Sequence, residues 1–386
     1  LDIKNKKRFW ELSFQKFSFP FKGIRRFHRL KNKIFRSFLI MTSISSNGIV
    51  RLCFTHQMRR RIMQSVLTLI PRLTDRQVLK ETPIYVVGDI LGQYVHLLRI
   101  FNEFGHPPGK RYLFLGNYAT QNPLGIETLA LLFAYKLLYP QSIYLLRGRR
   151  ECPTIGRLYG QYDQCVKRFS RRLWHEISTV FTYLPVAAII EDQILCVHSG
   201  LSPSIQYADL TSVNELRGQF LRLITRPNEI QPHALTTHLI WSEPDEGTTG
   251  WDQNPAGLGY LFGPDVVKAV CDRLDLLQIV RSSGLVRKGC ARFADTKLVS
   301  VFSAPDLEDT YENDGAVLHF SSKRTTRMNV KFEDVAFDML LTDKKMEQKY
   351  CPRIKNRNNG ICITILIVML NNQTHQKIWT ELCEIH

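Results

Sequence analysis

Two adjacent arginines and three isolated polar side chains stand directly after short apolar runs of this 386-residue chain: Arg149, Arg150, Asp89, Asn117 and His198. Two neighbouring guanidinium groups could bind an anion such as phosphate, because each forms charge-assisted hydrogen bonds with its oxygens. Solvated or internally paired arginines are the alternative. Asp89 could instead cap the next helix, and His198 could be a hydrogen-bonded residue at a strand end.

The apolar runs before these residues are four residues long and alternate with longer stretches of helical periodicity. This alternation predicts an α/β domain whose strands are buried on both faces. In such sheets the reactive groups gather beyond the carboxyl ends of the strands. The runs begin at Ile84, Tyr112, Ile143 and Ile194, and helical stretches extend from Leu97 to Phe104 and from Glu127 to Leu138.

The turns after the four runs are GDILGQ (88–93), GNYATQN (116–122), RGRRE (147–151) and HSGLSP (198–203), and two later turns are RSSG (281–284) and FSAPD (302–306). Their order resembles the signature of the metal-dependent Ser/Thr phosphoprotein phosphatases, which is GDxHGQ, GDxVDRG, RGNHE, HGGLSP, RAH and SAPNY. The segments YLFLG, LLFAYKLLYP, YGQYDQC, LPVAAII and IWSEPD look like the type-1 catalytic subunit of that family. The likeness extends over residues 83–320.

The resemblance implies a calcineurin-like metallophosphoesterase fold, in which two mixed β-sheets pack together and are flanked by helices. It also implies two-metal hydrolysis, in which two divalent ions (Mn, Fe or Zn) activate a water that attacks phosphorus in line. In the family a histidine acts as the acid for the leaving oxygen, and arginines hold the phosphate.

Two of the six metal-ligand positions implied by the resemblance keep their ligand, and these are Asp89 and His198. Asn117 stands where the bridging aspartate belongs, so its carbonyl oxygen can coordinate an ion but brings no negative charge. The remaining ligand positions hold residues that do not suit a cation, namely Leu91, Arg149 and Ser283. Arg149 places a permanent positive charge at the metal site.

The acid and the phosphate-holding residues implied by the resemblance are also replaced. Arg150 stands at the general-acid histidine and cannot cycle a proton near neutral pH, while Thr120 stands at its orienting aspartate. Gln121 and Ala256 stand where the family has two phosphate-binding arginines. Arg149 and Arg150 could therefore hold a phosphate without hydrolysing it.

These replacements predict a pseudophosphatase without a cofactor that acts as a binding or regulatory module. Its partners would be phosphoproteins or the regulatory subunits of the type-1 phosphatase. One alternative is a weakly active phosphoprotein Ser/Thr phosphatase that uses Asp89, Asn117 and His198 with a single ion. Another is a decaying duplicate with no selected role. We also predict that Arg149 pairs with Asp89 in place of the metals, because both residues follow strands that aim ligands at the same ion pair in the family.

A second site follows from the same resemblance, because regulators of the type-1 subunit dock by adding a strand to a sheet edge. Met328, Val330 and Phe332 alternate as such an edge strand would, and Ile194 also matches the groove. A strand that only faces the core is the alternative. Polar residues fall at two positions where apolar groups are expected, Gln278 and Arg292.

The net charge of +17 lies on the flanks of the chain. Residues 1–40 hold 12 basic and 2 acidic residues, whereas residues 83–320 hold 22 and 24, so the core gives no electrostatic reason to expect nucleic-acid binding. The 9 cysteines show no C-x-x-C spacing, which suits a reducing compartment, the cytoplasm or the nucleus. The longest apolar run, 361–370, is far shorter than the ~20 residues of a membrane-spanning helix.

Four segments follow from composition and periodicity. Residues 1–40 form a basic extension with 8 of the 22 phenylalanines. It could be an arm for a membrane surface or nucleic acid, a transit peptide, or an untranslated stretch before a start at Met41. Residues 41–82 are predicted to be the helical start of the domain, with a helix between 56 and 79. The core spans 83–332, and 333–386 is a polar tail.

Overall fold

The computed structural model describes the backbone and side chains of residues 83–307 and 311–321. It also describes the backbone of four strands outside those ranges, at 43–44, 50–51, 78–79 and 324–330. The predicted extension at 1–40, the tail at 333–386 and Phe332 lie outside the described residues. The phosphatase-like core is therefore the part of the chain on which the site is built.

One sheet is formed by β4 (Ile84–Val87), β5 (Tyr112–Phe114), β6 (Ile143–Leu145), β15 (Gly315–Ser321) and β16 (Arg324–Val330). Its strand order is β16-β15-β4-β5-β6. Strands β4, β5 and β6 run parallel, whereas β15 pairs antiparallel with β4 and with β16. The predicted strands at Ile84, Tyr112 and Ile143 are confirmed.

A second sheet is formed by β3 (Val78–Leu79), β7 (Ala187–Ile190), β8 (Ile194–Val197), β12 (Gln278–Arg281), β13 (Cys290–Phe293) and β14 (Leu298–Val301). Its order is β13-β14-β12-β8-β7-β3. Strand β12 runs parallel to β8 and β14, while β7 is antiparallel to β8. The sheet is mixed, as the resemblance implies.

The two sheets pack face to face through a layer of buried aliphatic side chains. Ile84, Val86 and Leu113 of the first sheet share this layer with Cys196 and Val280 of the second. Burial of each such side chain stabilises the fold by roughly 1.5–3 kcal/mol. Because both faces of β4 and β8 are buried, their sequences are continuous apolar runs rather than alternating ones. The predicted α/β fold with two packed mixed sheets is confirmed.

Helices cover the outer faces of the sheets. They span Tyr94–Phe104, Gly125–Leu138, Pro153–Leu158, Gln161–Arg168, Arg171–Phe181, Pro203–Gln206, Val213–Leu223, Leu235–Trp241 and Pro264–Arg273. The second helix is buried along its whole length, including Lys136, whose ammonium donates to two backbone carbonyls. Among the residues that the structure describes, no helix is long and apolar enough to cross a membrane.

Two smaller sheets complete the described structure. Strands β9 (Glu243–Pro244), β10 (Trp251–Gln253) and β11 (Tyr260–Phe262) pair in the order β10-β11-β9. This small sheet follows the helix that ends at Trp241, and it brings Glu243 beside the turns of the larger sheets. Strands β1 (Ser43–Ile44) and β2 (Val50–Arg51) form an antiparallel pair.

Two expectations for the segment before the core need correction. The helix predicted between 56 and 79 does not include its last two residues, because Val78 and Leu79 form β3 and pair with β7. Their apolar side chains suit a sheet edge as well as a helix face, so periodicity alone could not separate the two. The rest of that helix lies outside the described residues. The polar composition of residues 42–48 predicts a flexible lead-in, but Ser43 and Ile44 form β1.

Candidate functional site

Asp89 lies two residues past the end of β4 and is buried. Its Oδ1 accepts a hydrogen bond from Ser282 Oγ at 2.6 Å, and its Oδ2 accepts one from Asn117 Nδ2 at 2.7 Å. The Asp89 backbone N–H, in turn, donates to Ser282 Oγ at 2.8 Å. Both carboxylate oxygens are therefore held by neutral donors that follow β5 and β12.

Asn117 follows β5 with a φ of 55°, a left-handed conformation that asparagine tolerates better than most residues. Its Oδ1 accepts a hydrogen bond from the Arg150 backbone N–H at 2.9 Å, while its Nδ2 donates to Asp89. The Arg150 N–H requires an acceptor, which fixes the orientation of the amide. Asn117 therefore presents a donor to Asp89, where the family's aspartate would present a second negative charge.

Glu151 links the turn after β5 to the turn after β6. Its carboxylate accepts hydrogen bonds from three backbone N–H groups, those of Asn117 at 2.8 Å, Gly148 at 2.9 Å and Tyr118 at 3.0 Å. Burial raises the pKa of Glu151 to about 7, although the three N–H groups act to lower it. Glu151 thus fastens the turn after β5 to the turn after β6, a role that sequence reasoning missed.

His198 follows β8 and is fully buried. Its Nδ1 donates to the Leu115 carbonyl at 2.9 Å, because a carbonyl oxygen can only accept. Burial lowers the pKa of His198 to about 4, so the imidazole is neutral at physiological pH. Its Nε2 is buried and has no hydrogen-bond partner among the described residues. The nitrogen that a metal ion would use therefore keeps its lone pair free.

Gly148 lets these turns converge. A Cβ at this position would lie 2.8 Å from both Asn117 Oδ1 and His198 Cε1, and 2.6 Å from the Asn117 nitrogen. Only a glycine leaves room for the side chains that follow β5 and β8 to approach the turn after β6 this closely. The structure thus brings Asp89, Asn117 and His198 together, as the strand-end argument predicts.

Arg149 does not pair with Asp89, and that prediction is wrong. Its guanidinium forms a salt bridge with Glu243, donates to Ser199 Oγ at 2.8 Å, and lies 4.8 Å from the ring centroid of Trp241. It also donates to the carbonyls of Ile240 at 3.0 Å and Trp241 at 3.2 Å. The physical reason is that these acceptors satisfy Nε and Nη2 of Arg149, whereas both oxygens of Asp89 already accept hydrogen bonds from neutral donors.

Arg150 lies on the other side of the same turn. Its guanidinium stacks over the ring of Tyr159 at 3.7 Å from the centroid. Its Nη1 is buried without a hydrogen-bond partner in the described part of the chain. Burial lowers the pKa of Arg150 from its usual value, and the nearby Tyr159 and Asp89 act in the opposite direction. A buried donor without a partner costs about 1–3 kcal/mol, so the site favours a ligand with an acceptor oxygen.

Two of the replaced ligand positions have acquired structural contacts. Leu91 is buried and packs in a small apolar cluster with Phe302 and Ala304. Ser283 adopts a φ of 65°, and its backbone N–H lies 3.4 Å from Asp89 Oδ1. Its carbonyl accepts a hydrogen bond from Arg281 at 2.7 Å. Asp89 therefore has few metal ligands around it, because Leu91 has no lone pair and Ser283 has only a short hydroxyl.

The remaining positions compared with the family lie at the rim. Thr120 Oγ1 donates to the Leu91 carbonyl at 3.1 Å and accepts from the Asn122 N–H at 3.2 Å, so it stabilises the turn. Gln121 and Ala256, which stand at the two arginine positions, are both exposed. The rim therefore offers no second guanidinium at those two positions.

The donor set at this centre fits two divalent ions poorly. The Asp89 oxygens are already hydrogen-bonded, Asn117 turns its NH₂ inward, and Arg149 brings a fixed positive charge next to His198. In the described part of the chain, no group of three or more His, Cys, Asp or Glu side chains converges as a metal site. His198 Nε2 is the feature that suits a single ion.

The docking residues lie in two different sheets. Ile194 belongs to β8 and contributes to the buried layer between the sheets, and Gln278 is its register partner on β12. Met328 and Val330 lie on β16, an end strand of the first sheet in the described structure. Arg292 is exposed on β13. In the described structure β16 is thus an end strand, and docking of a regulator on it stays a prediction.

Residues 82–282 match the family described as calcineurin-like phosphoesterase. The chain belongs to this family. It is also similar in structure to a protein serine/threonine phosphatase from Saccharomyces cerevisiae that has similarity to human phosphatase PP5. The TM-score is 0.65 and the sequence identity is 25%, and the match covers 73% of this chain and 92% of the yeast protein.

Two further structures match more distantly. One is a cold-active protein-tyrosine phosphatase of a psychrophilic Shewanella species, with 14% identity, a TM-score of 0.43 and coverage of 66% of this chain and 82% of that one. The other is a metallophosphoesterase from Sphaerobacter thermophilus, with 14% identity, a TM-score of 0.34 and coverage of 65% and 90%. Neither carries an argument about this member of the calcineurin-like phosphoesterase family.

Sequence reasoning missed the partners of the two arginines in this member of the family. Glu243 lies in the segment IWSEPD and Tyr159 begins the segment YGQYDQC, and the resemblance of both segments to the family assigns no role to either residue. Ser282, which holds Asp89, stands one residue before the replaced ligand at Ser283. The carboxylate of Glu243 in a family-like segment is the one sequence signal for this pair, and it lies 94 residues from Arg149 in the chain.

Proposed function

We propose that this chain is a phosphatase-fold protein that binds phosphorylated segments of other proteins and does not hydrolyse them. The observation that carries the proposal is Arg150, whose buried Nη1 lacks a partner and whose guanidinium is held against Tyr159. A phosphoryl oxygen would supply the missing acceptor in a charge-assisted hydrogen bond. Arg149 takes no part in this binding, because its Nε and Nη2 are already bound to Ile240, Ser199 and Glu243.

The absence of turnover in this proposal has two physical grounds. In-line attack on phosphorus needs an activated water and a proton for the leaving oxygen. Arg150 stays charged throughout the physiological range and cannot deliver a proton. Asp89 and Asn117 are committed to each other, so the pair offers little to an ion that could activate water. Loss of either contribution typically slows an enzyme by orders of magnitude.

The surroundings of Arg150 support a protein ligand rather than a small one. Tyr159 is about half exposed and the neighbouring Leu158 is 75% exposed, so an apolar surface adjoins the proposed anion site. In this proposal the partners are phosphoproteins or regulatory subunits of type-1 phosphatases, met in the cytoplasm or the nucleus. The likeness to a yeast protein serine/threonine phosphatase supports ligands of the protein class.

The proposal is tested by measuring the affinity of the full chain for a phosphoserine peptide and for its unphosphorylated form. Arg157→Gln is the matched control, because Arg157 stacks over Tyr162 at 5.1 Å and is exposed. The wild type and Arg157→Gln should prefer the phosphopeptide by roughly tenfold, which corresponds to one charge-assisted hydrogen bond. Arg150→Gln should lose that preference. Equal affinity for both peptides, or a preference that survives Arg150→Gln, would contradict the proposal.

A second candidate is a weakly active phosphatase that uses a single ion. It is favoured by His198, whose neutral imidazole keeps an unpartnered Nε2 in the buried centre. Equilibrium dialysis against Mn²⁺, followed by elemental analysis, separates the two candidates. One tightly held equivalent that His198→Ala abolishes would support the second candidate, whereas no retained metal would support the binding protein.

A further inference from the structure

Asn117 stabilises the neighbouring Asp89 through a hydrogen bond. Where the family has a carboxylate, Asn117 donates from Nδ2 to Asp89 Oδ2 at 2.7 Å. Two carboxylates at that distance repel each other unless a cation or a proton lies between them. The amide converts the repulsion into a hydrogen bond without any change in side-chain shape. Its orientation is fixed by the Arg150 backbone N–H, which occupies Oδ1.

Arg149 makes a second internal link. Its guanidinium begins at the turn after β6 of the first sheet and reaches Ser199, which follows β8 of the second sheet. The same group binds Glu243 of the small third sheet and two carbonyls at the end of the helix Leu235–Trp241. One partly buried cation thus joins elements of three sheets and neutralises a carboxylate beside the site. Burial acts to raise the pKa of Glu243, but the charge and hydrogen bonds of Arg149 outweigh it and lower the pKa.

We infer that Asn117 and Arg149 together take the place of bound cations, so that the centre is closed internally and the fold does not depend on divalent metal. Asn117 removes the negative charge that would require an ion next to Asp89. Arg149 supplies a positive charge that is covalently part of the chain. This inference goes beyond the proposed function, because it holds whether or not Arg150 binds phosphopeptides.

The test is a single-atom change, Asn117→Asp, with Asn122→Asp as the matched control. The Asn122 Oδ1 accepts from the Leu124 N–H at 3.0 Å, so an aspartate there keeps its bond. The melting temperature of each variant is measured in a chelator and in Mn²⁺. The wild type and Asn122→Asp should melt at the same temperature in both conditions. Asn117→Asp should melt at least ~5 °C lower in the chelator, because two carboxylates then face each other, and Mn²⁺ should recover part of the loss.

Two results would overturn the inference. One is a wild type whose melting temperature rises in Mn²⁺ and falls again on chelation. The other is an Asn117→Asp protein that melts like the wild type in the chelator. Neither outcome bears on the phosphopeptide experiment, which depends on Arg150.

A double-mutant cycle keeps the inference testable if Asn117→Asp does not fold. Arg149→Gln, Glu243→Gln and their combination are compared by chemical denaturation, and Asp89→Asn replaces Glu243→Gln in a parallel cycle. The Arg149 and Glu243 changes should be strongly non-additive, whereas the Arg149 and Asp89 changes should be nearly additive. Additive effects in the Glu243 cycle would overturn the role of Arg149.

Discussion

The turns at the centre of this calcineurin-like phosphoesterase family member have two layers, and the two layers differ in how far they keep the family's pattern. The lower layer, which comprises Glu151 and the backbone N–H groups that it binds, is intact and fully hydrogen-bonded. The upper layer comprises the ligand and acid positions, where Leu91, Arg149 and Arg150 now stand. The residues that set the backbone geometry of these turns are therefore different from the residues at the ligand and acid positions. The turn geometry is complete, and the proposed loss of hydrolysis concerns the upper layer alone.

The largest effect should come from breaking the lower layer. Glu151→Ala leaves three buried N–H groups without an acceptor, at a cost of about 1–3 kcal/mol each, so unfolding should become easier by about 3 kcal/mol or more. Chemical denaturation measures the change, with Glu246→Ala in an exposed loop as the control. Equal stability of the two variants would show that the lower layer does not hold the turns together.

A smaller loss is expected where the two layers meet. The Cβ of Gly148→Ala would lie 2.6 Å from the Asn117 nitrogen, so the turns after β5 and β6 must move apart. Overpacking of this kind costs about 1–3 kcal/mol. Gly218→Ala is the control, because a Cβ there meets nothing within 4 Å. If Gly148→Ala is as stable as Gly218→Ala, the convergence of the turns is looser than the structure indicates.

The pH dependence of stability should also reflect the buried scaffold. Burial lowers the pKa of His96 to about 3 from 6.5, and Arg99 adds to this shift. Below pH 6.5 His96 therefore binds a proton in the unfolded chain, whereas in the folded chain it stays neutral. Stability from this residue is complete above pH 6.5 and falls as the pH drops toward 3, by on the order of 2 kcal/mol near pH 5. Denaturation of His96→Gln should depend less on pH over this window, and identical slopes would contradict the assignment.

The smallest effect is expected at the rim. Gln121 is exposed, so Gln121→Ala should change the free energy of unfolding by less than about 0.5 kcal/mol. Its phosphopeptide affinity should match that of the wild type, because the arginine of that position is already absent. A clear loss of affinity would place Gln121 in the binding site and extend that site beyond Arg150.

The sequence predicted those features that depend on short stretches of the chain, such as buried strands and the turns that follow them. Apolar runs at Ile84 and Ile194 predicted buried strands, and the turns after them predicted that Asp89, Asn117 and His198 converge. Which side chain would pair with Arg149 could not be predicted in the same way. A guanidinium has several rotatable bonds and reaches either side of its turn, and the choice depended on Glu243, 94 residues away in the chain. Long-range pairing of flexible side chains is set by the assembled fold.

The contacts of Asn117 and Leu91 could not be predicted from the local motifs either. Asn117 is a lost ligand when it is compared with the family, but in the folded chain it donates a hydrogen bond to the retained Asp89. Leu91 is another lost ligand, and it fills an apolar cluster with Phe302 and Ala304. A comparison of motifs identifies which residues differ from the family's pattern, whereas the three-dimensional contacts identify what those residues bind.

The central claim, binding without hydrolysis, is tested most directly by incubating the purified full chain with a phosphoserine peptide and Mn²⁺ and measuring the phosphate released. Phosphate release should not exceed that of an Asp89→Ala variant, while the peptide still binds. Release at a rate near that of a typical enzyme, ~10 per second, which Asp89→Ala abolishes, would contradict the claim.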